Sequence, residues 1–267
     1  MSLEVKNLSF SYGAHPVLEN VSFSVDGGQV LSVLGPNGVG KSTLFHCMLG
    51  LRKPQAGAIL ADGRDISALT SRELAKKLAF IPQSNHPVFS FSVLDMVLMG
   101  TTAQLGYFSA PGQAQRQDAI RILEQLGISH LAQRDYARPS GGEQQLCLIA
   151  RAMVQGARIL VLDEPTANLD YGNRIRVMQA LRSLSKEGFT VILSTHDPDQ
   201  AYLYSDSILA LCQGRVLACG PPREILSSSL ISRLYGVEVE VCSLREDTFR
   251  ICVPTAPHIP KKEGEAL

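Results

Sequence analysis

Short apolar runs alternate with polar residues between residue 1 and about residue 30. Apolar side chains occupy alternate positions in Leu3–Phe10 and Val21–Val25, with Val17 and Leu18 between the two runs. Asp26, Gly27 and Gly28 then interrupt the pattern. A period of two with glycine-rich breaks is typical of antiparallel strands. We therefore predict a small antiparallel sheet in this part of the chain, followed later by a further strand at residues 57–63.

Continuous apolar runs predict a second kind of strand. They occupy residues 29–34, 159–162 and 189–193, and a helical stripe of apolar residues separates the last two. That stripe consists of Ile175, Met178, Leu181 and Leu184. Apolar strands that alternate with helices favour a parallel sheet covered on both faces. The pattern therefore predicts an α/β core.

The middle of the chain has a helical pattern from about Ser84 to Gln145. Residues 93–99 form one apolar segment, residues 120–126 form an apolar stripe that ends at Gly127, and residues 106–112 form a loop. Before this region, Thr70 and Glu73 form a capping box that predicts a helix running to Leu78 and then a strand at 79–81. We predict an all-α insertion, at about residues 84–145, in the α/β core.

The last part of the chain has weaker patterns. Residues 207–219 predict a hairpin that turns at Gln213 and Gly214. Residues 237–241 resemble a strand, and the proline- and lysine-containing end is predicted to be disordered. We assign residues 1–235 to one domain and residues 236–267 to a short, partly disordered C-terminal extension.

A glycine-rich segment follows the strand at 29–34 and precedes a helical pattern that ends at Gly50. Its sequence matches G-x-x-x-x-G-K-[ST] at every position: Gly35, Pro36, Asn37, Gly38, Val39, Gly40, Lys41, Ser42 and Thr43. In such a loop the backbone N–H groups and the helix N-terminus bind phosphate oxygens, the lysine reaches the β- and γ-phosphates, and the hydroxyl can ligate Mg²⁺. The segment predicts a nucleoside triphosphate site.

Two carboxylates end the apolar strand at 159–162. A buried parallel strand delivers the next residues to the sheet edge where the phosphate-binding loop also lies. Asp163 is then placed to hold Mg²⁺, directly or through water, and Glu164 is placed to deprotonate an attacking water. These two residues complete a predicted site for hydrolysis of the triphosphate.

A second helix start also has the features of an anion site. Ser140 and Glu143 form a capping box, and Gly141 and Gly142 lie within it. Glycine costs about 1 kcal/mol in a helix, so we interpret the pair as allowing close backbone approach to a phosphate. One chain cannot easily bring both helix starts to the same face of one nucleotide. A sandwich of two subunits would.

The order of these motifs resembles the ATP-binding subunits of ABC transporters. The resemblance covers about residues 2–235 and is carried by the phosphate-binding loop and by residues 80–83, 140–143, 162–165, 167–170 and 194–197. It implies ATP and Mg²⁺ as ligands, a second copy of the chain as partner, and ATP hydrolysis as activity.

The resemblance also implies roles for single residues. It implies that the Tyr12 ring stacks on adenine and that Gln83 senses Mg²⁺ and the membrane partner. Ser140, Gly141 and Gly142 would contact the γ-phosphate held by the other subunit. Asp170 would lie at the dimer seam, and His196 near the γ-phosphate. The alternatives are that Tyr12 is a sheet residue, Gln83 a surface residue and His196 a core histidine.

Two positions depart from the family pattern. Pro139 stands where the family usually has leucine, and its ring fixes φ and removes an N–H. Leu146 stands where arginine or lysine is frequent. Neither change removes a catalytic group, so both bear on the rate of turnover and not on ATP binding.

Three further segments, with less specific patterns, indicate which kind of ABC protein the chain resembles. Residues 65–75, 91–100 and 220–226 resemble importers of ferric siderophores, haem and cobalamin. The resemblance implies a polytopic permease that docks at residues 83–106, a substrate-binding protein as indirect partner, and a peripheral location on the cytoplasmic face of the cell membrane. The alternatives are a zinc or manganese importer and a soluble ABC ATPase such as an iron–sulfur assembly factor.

Composition narrows the choice of partner. The 267 residues contain 25 lysines and arginines and 25 aspartates and glutamates, so no overall positive field favours nucleic acid. No apolar run approaches the roughly 18 residues that a membrane span needs. We expect no nucleic-acid partner, and a membrane partner on a separate chain.

Overall fold

The computed structural model describes residues 1–83, 90–105 and 109–255, and it contains three sheets in those ranges. The strands are β1 Leu3–Tyr12, β2 His15–Val25, β3 Val30–Leu34, β4 Ala56–Ala61, β5 Arg64–Asp65, β6 Leu78–Ile81, β7 Ile159–Leu162, β8 Thr190–Thr195, β9 Ser207–Cys212, β10 Arg215–Gly220, β11 Val239–Leu244 and β12 Phe249–Pro254. The helices are α1 Lys41–Met48, α2 Ser71–Ala75, α3 Val93–Leu98, α4 Gln113–Gln125, α5 Gly141–Val154, α6 Tyr171–Lys186, α7 Pro198–Tyr204, α8 Pro222–Ile225 and α9 Ser228–Tyr235.

The central sheet has the order β10–β9–β3–β8–β7–β6 and is parallel except for β10. Its parallel strands are buried on both faces. In β7, Ile159 and Val161 pack towards the antiparallel sheet and α1, while Leu160 and Leu162 pack towards α3–α6. This two-sided burial explains the continuous apolar runs of the sequence. The predicted α/β core is confirmed.

The two predicted subdomains lie on opposite faces of the central sheet. The antiparallel sheet β2–β1–β4–β5 and α1 enclose one core, and α3 and α4 join α5 and α6 around the other. The inserted region thus has helices and short 3₁₀ turns, and its β-structure within the described ranges is an isolated bridge between Ser92 and Asp135. None of the helices in the described ranges is long and apolar enough to cross a membrane.

A third, smaller core lies under the C-terminal part of the chain. It joins α7 and β9 to α8, α9 and the hairpin β11–β12 through residues such as Leu34, Ile208 and Leu230. The predicted strand at 237–241 is therefore one half of a hairpin that packs on the main domain. The predicted disordered end at residues 256–267 lies outside the described residues.

One helix is shorter than its sequence pattern predicts. The capping box of Thr70 and Glu73 is present, but α2 ends at Ala75. Leu78 is wrongly predicted as helical: it begins β6 and pairs with Ile159 of β7, because its side chain is buried in the sheet core. Parts of two other predicted segments, residues 84–89 of the insertion and residues 106–108 of its loop, lie outside the described residues.

One ion pair links the helical layer to two strands of the central sheet. Both terminal nitrogens of Arg182 on α6, Nη1 and Nη2, donate to the Asp206 carboxylate, at 2.5 and 2.7 Å, and the Val30 N–H donates to the same carboxylate at 2.8 Å. Burial alone would raise the pKa of Asp206. The hydrogen bonds from Arg182 and Val30 and the charge of Arg182 outweigh burial and lower it.

We expect Asp206→Asn to lower the free energy of unfolding at pH 7 by about 1–3 kcal/mol, because it breaks a partly buried charged network. A group with a lowered pKa in the folded state stabilises the fold above its unfolded pKa, which is about 3.9. The difference between the variant and the parent should therefore shrink as pH falls below about 4.

Urea unfolding between pH 3 and pH 7 measures this difference. The matched control is Glu19→Gln, because Glu19 pairs with Arg215 on the exposed surface and should contribute less than about 0.5 kcal/mol. A gap between parent and Asp206→Asn that stays constant or widens on acidification would contradict the assignment.

Candidate functional site

The phosphate-binding loop joins the end of β3 to the start of α1. The helix begins at Lys41, two residues earlier than the apolar pattern indicates, and Gly40 occupies its N-cap position with φ of 109°. A residue with a Cβ would be strained at this φ and would also lie 3.1 Å from the Val17 carbonyl oxygen. Gly40 therefore lets the chain enter α1 with the helix N-terminus open to an anion.

Lys41 is the most buried charged residue at this edge of the sheet. Its ammonium donates to the carbonyl oxygens of Gly35 and Pro36, at 2.7 and 3.1 Å. It also lies 3.5 Å from Glu164 Oε1, and the two side chains are 5% and 11% exposed. Burial lowers the pKa of Lys41, and the charges of Glu164 and Asp163 oppose that effect. The ammonium is thus held across the loop towards the carboxylates.

The carboxyl ends of four parallel strands meet beside the loop. Leu34 pairs with Thr195, Leu162 with Leu193, and Ile81 with Leu162. The residues that follow these positions therefore lie along one edge. They are the phosphate-binding loop after β3, Gln83 after β6, Asp163 and Glu164 after β7, and His196 after β8.

Ser194 on β8 holds both carboxylate residues at the end of β7. Its hydroxyl donates to Asp163 Oδ1 at 2.6 Å and accepts from the Glu164 N–H at 2.8 Å. Glu164 has φ of 44°, which is uncommon for a residue other than glycine and costs about 1–3 kcal/mol. The hydrogen bond from the Glu164 N–H to Ser194 is one contact that holds this backbone conformation.

His196 extends from the end of β8 towards Glu164. Its Nδ1 lies 3.4 Å from Glu164 Oε2, and the imidazole is 55% exposed. The exposure excludes the alternative that His196 is a core histidine. Glu164 therefore lies between a buried ammonium on one side and an accessible imidazole on the other.

A cleft of about 420 Å³ lies beside Lys41, Asp163 and Glu164. Its described lining residues are Tyr12, Val17, Asn37, Gly38, Gly40, Lys41, Ser42, Thr43, Gln83, Asp163 and Glu164. Tyr12 is the last residue of β1, and its ring packs edge-on against Phe10. The Arg52 guanidinium lies over the Tyr12 ring, with its carbon 5.6 Å from the ring centre. A smaller cavity beside it is lined by Asn37, Gln83, Glu164 and His196, among others. The structure thus brings together the predicted residues of the phosphate-binding loop, Tyr12, Gln83, Asp163, Glu164 and His196.

The second predicted anion site, residues 140–143 and here called the signature, lies elsewhere, at the start of α5. Ser140 and Glu143 form the predicted capping box: the Ser140 N–H and hydroxyl both donate to Glu143 Oε2, at 2.8 Å. Gly142 has an explanation within the chain, since a Cβ there would lie 2.6 Å from the Cβ of Asn173 on α6. Packing against Asn173 is therefore one reason for glycine at position 142, and the predicted approach of an anion to Gly141 and Gly142 stays a prediction. Ser140, Gly141, Gly142 and Glu143 are absent from the described lining of the 420 Å³ cleft.

Asp170 is the N-cap residue of α6. Its carboxylate accepts from the backbone N–H and the side-chain amide of Asn173, at 2.8 and 2.7 Å. The hydrogen bond from the Asn173 backbone is the largest cause that lowers the pKa of Asp170. Gly142, Asn173 and Asp170 therefore form one chain of contacts outside the cleft, and their predicted role towards a second subunit stays a prediction.

The sequence patterns miss several residues that support the site. Ser194 is one of them, and the buried trio Thr166, Gln200 and Thr195 is another: Gln200 Oε1 accepts from Thr195 Oγ1 at 3.2 Å, and Thr166 and Gln200 are hydrogen-bonded at 3.0 Å. These contacts join the turn after Glu164 to α7. The available signal was the presence of hydroxyl residues at the end of an otherwise apolar central strand.

We expect Ser194→Ala to reduce the rate of ATP hydrolysis about tenfold, because Asp163 and the Glu164 N–H each lose a partner. The affinity for a fluorescent ATP analogue without Mg²⁺ should change less than about threefold, because Lys41 and the loop are untouched. Steady-state hydrolysis and a binding titration measure the two quantities.

Ser185→Ala is the matched control. Ser185 is as buried as Ser194, but its hydroxyl donates to the Arg182 carbonyl oxygen on α6, away from the cleft. The control should hydrolyse ATP at the parent rate. Parent-like hydrolysis by Ser194→Ala would show that the serine does not support the carboxylates.

Comparisons with known proteins agree with this geometry. A family model described as ABC transporter matches residues 18–167. A protein of Helicobacter pylori, named as an iron chelatin transport ATP-binding protein, is 37% identical over 90% of this chain and 95% of its own length. The hemin import ATP-binding protein HmuV of Bordetella pertussis is 36% identical over 90% of this chain and 94% of its own.

A solved structure extends the similarity to three dimensions. One chain of a metal-chelate type ABC transporter in an inward-facing conformation superposes with a TM-score of 0.84 at 33% sequence identity. The match covers 96% of this chain and 98% of that one. The likeness therefore includes the C-terminal helices and hairpin as well as the nucleotide-binding core.

Proposed function

The chain belongs to the ABC transporter family, and we propose that it is the subunit that binds and hydrolyses ATP to power import through separate membrane permease subunits. The observation that carries the proposal is the meeting of Lys41, Asp163, Glu164 and His196 at one edge of the sheet. A buried ammonium and two carboxylates beside a phosphate-binding loop are groups that phosphoryl transfer to water uses, and the accessible imidazole adds a polar group near the γ-phosphate.

Each group has a role in hydrolysis under this proposal. Lys41 exchanges its carbonyl partners for the β- and γ-phosphates of ATP, and the N–H groups of the loop bind the remaining oxygens. Glu164 orients the attacking water and accepts its proton, while His196 contacts the γ-phosphate from the other side of Glu164. Tyr12 stacks on the adenine.

The proposal includes Mg²⁺. Mg²⁺ is a hard cation that prefers oxygen ligands, and Ser42, Gln83 and Asp163 offer a hydroxyl, an amide and a carboxylate oxygen to one cleft. This donor set fits the ion. When bound, Mg²⁺ neutralises charge on the phosphate oxygens.

A second copy of the chain completes each site in this proposal. Ser140, Gly141, Gly142 and Glu143 lie outside the cleft of their own chain, and the start of α5 exposes Ser140 and Gly141. In a head-to-tail dimer, this helix start faces the γ-phosphate that the other copy holds. Asp170 then lies at the seam between the copies.

Permease subunits are the membrane partners. An apolar groove of about 810 Å³ is lined by α2, by α3 and the turn after it, and by residues 109–116, and its lining between residues 95 and 105 falls within the predicted docking region. Arg72 on α2 closes one wall of this groove by donating to the carbonyl oxygens of Ala103, Gln104 and Leu105. We propose that this groove receives a helix of the permease on the cytoplasmic face of the cell membrane.

The substrate is proposed as an iron–siderophore, haem or cobalamin type of metal chelate. The support is the names of the similar proteins, which concern iron chelatin, hemin and metal-chelate transport. A substrate-binding protein on the other side of the membrane would be an indirect partner. Zinc or manganese import and an iron–sulfur assembly role are the alternatives, and none of these three comparisons names them.

We expect Glu164→Gln to bind ATP as the parent does and to hydrolyse it more slowly by about two to four orders of magnitude, because the shape is kept and the base is lost. An ATP-bound dimer should accumulate as a consequence. Phosphate release and light scattering after size-exclusion chromatography measure these effects. Parent-like turnover would exclude Glu164 as the base.

We expect Ser140→Arg to bind nucleotide as a monomer but to form no ATP-dependent homodimer, because a bulky cation at the helix start keeps the facing phosphate away. Mixed with Glu164→Gln protein, it should form heterodimers. One site in the heterodimer then has an intact loop, an intact Glu164 and an intact signature.

Thr70→Arg is the matched control for the lost capping box, because Thr70 and Glu73 form the same box at the start of α2. It should dimerise with ATP as the parent does. If mixing Ser140→Arg with Glu164→Gln gives no heterodimer, the sites are not shared between two subunits.

A further inference from the structure

The peptide that carries His196 is held from outside the cleft. The Tyr235 hydroxyl donates to the His196 carbonyl oxygen at 3.0 Å. Tyr235 is the last residue of α9, which ends at Gly236 with φ of 69°. The contact therefore joins His196, the residue after β8, to a helix that begins 32 residues later in the chain, at Ser228.

The His196 side chain has few restraints of its own. It is 55% exposed, and its contact with Glu164 is 3.4 Å long. The position of the imidazole therefore depends on the backbone that carries it. Before His196, the Gly35 N–H donates to the Thr195 carbonyl oxygen, and after it the Asp197 N–H donates back to Thr195 Oγ1 at 3.0 Å. Tyr235 supplies the contact at the carbonyl of His196 itself.

Tyr235 is itself rigidly placed. Its ring packs against the third core, and Ser228 at the start of α9 accepts from the Val241 N–H of the hairpin at 2.9 Å. Burial raises the pKa of the Tyr235 hydroxyl, and the charge of Asp197 acts in the same direction. The phenol is therefore protonated and able to donate throughout the neutral range.

The hairpin β11–β12 is hydrogen-bonded to α7, the helix that follows His196. The Cys252 N–H donates to Asp199 on α7 at 2.9 Å, and the Tyr202 hydroxyl on α7 donates to the Asp247 carbonyl oxygen at 2.9 Å. Arg250 in turn donates to the carbonyl oxygen of Leu226. These contacts hold α7 to the hairpin, whereas the hydrogen bond from Tyr235 reaches the His196 peptide itself.

We propose that Tyr235 is a positioning residue for ATP hydrolysis, which holds the His196 peptide so that the imidazole stays beside Glu164. The inference rests on the proposed role of His196. Tyr235 belongs to the C-terminal part of the chain, residues 222–255, none of which lines the nucleotide cleft. Under the proposal, this part of the chain contributes to turnover.

Tyr235→Phe tests the inference because it removes one oxygen atom and keeps the ring in its core. We expect kcat for ATP hydrolysis to fall about fivefold with an unchanged KM, since a neutral hydrogen bond to the backbone is lost and no group that touches ATP is altered. Combined with His196→Ala, the substitution should cause no further loss of kcat, because the group that it positions is gone.

Tyr202→Phe is the matched control. It removes a hydrogen bond of the same kind and of similar length, which runs from α7, six residues after His196, to the hairpin turn, and it leaves the contact at the His196 carbonyl oxygen intact. Both tyrosine variants should lose similar stability in urea unfolding, and only Tyr235→Phe should lose kcat. Equal kcat in both, or a further loss of kcat when Tyr235→Phe is added to His196→Ala, would overturn the inference.

The His196→Ala variant alone separates this inference from the proposed function. Parent-like turnover by His196→Ala would refute the role of the histidine and the inference with it. Slow turnover by His196→Ala together with parent-like turnover by Tyr235→Phe would refute the positioning role only. A fall of kcat in Tyr235→Phe that disappears in the His196→Ala background would support both.

Discussion

The relative position of the two carboxylates at the end of β7 depends on one hydroxyl group of the neighbouring strand. Ser194 donates to Asp163 and accepts from the Glu164 N–H, so both of its hydrogen-bonding functions are used. This arrangement requires β7 and β8 to be adjacent and parallel, with Leu162 opposite Leu193. The unfavourable backbone conformation of Glu164 persists because the sheet fixes its partner.

The requirement that β7 and β8 are adjacent and parallel also explains the layered fold. A parallel sheet must be covered on both faces, and here an antiparallel sheet with α1 covers one face while the inserted helices cover the other. Functional groups can then accumulate only at the edge where the strands end. Three such strand ends supply Lys41, Asp163, Glu164 and His196. The pairing of these strands fixes the distances between the four residues.

Local features of this edge could be predicted from the sequence, and long-range ones could not. The phosphate-binding loop, the apolar run before Asp163 and the capping box at Ser140 are each contained in a short segment, so their patterns are visible in it. The contact of Ser194 with Glu164 joins residues 30 positions apart, and that of Tyr235 with His196 joins residues 39 apart. Such pairs depend on strand order and helix packing, which the pattern of a short segment does not reveal. The β11–β12 hairpin was half predicted for the same reason, since its first strand has an alternating pattern and its second is recognised only by its pairing.

The contact between Gly142 and Asn173 has a consequence for substitutions at position 142. A Cβ on residue 142 would overlap the Cβ of Asn173, and Asn173 is also the residue that donates two hydrogen bonds to Asp170. A larger residue at position 142 is therefore tolerable only if α6 moves away from α5, which would disturb the capped start of α6 as well. The segment that begins at Ser140 and the segment that ends at Asp170 are thus coupled through this contact, because residue 142 can gain a Cβ only if residue 173 and the start of α6 shift.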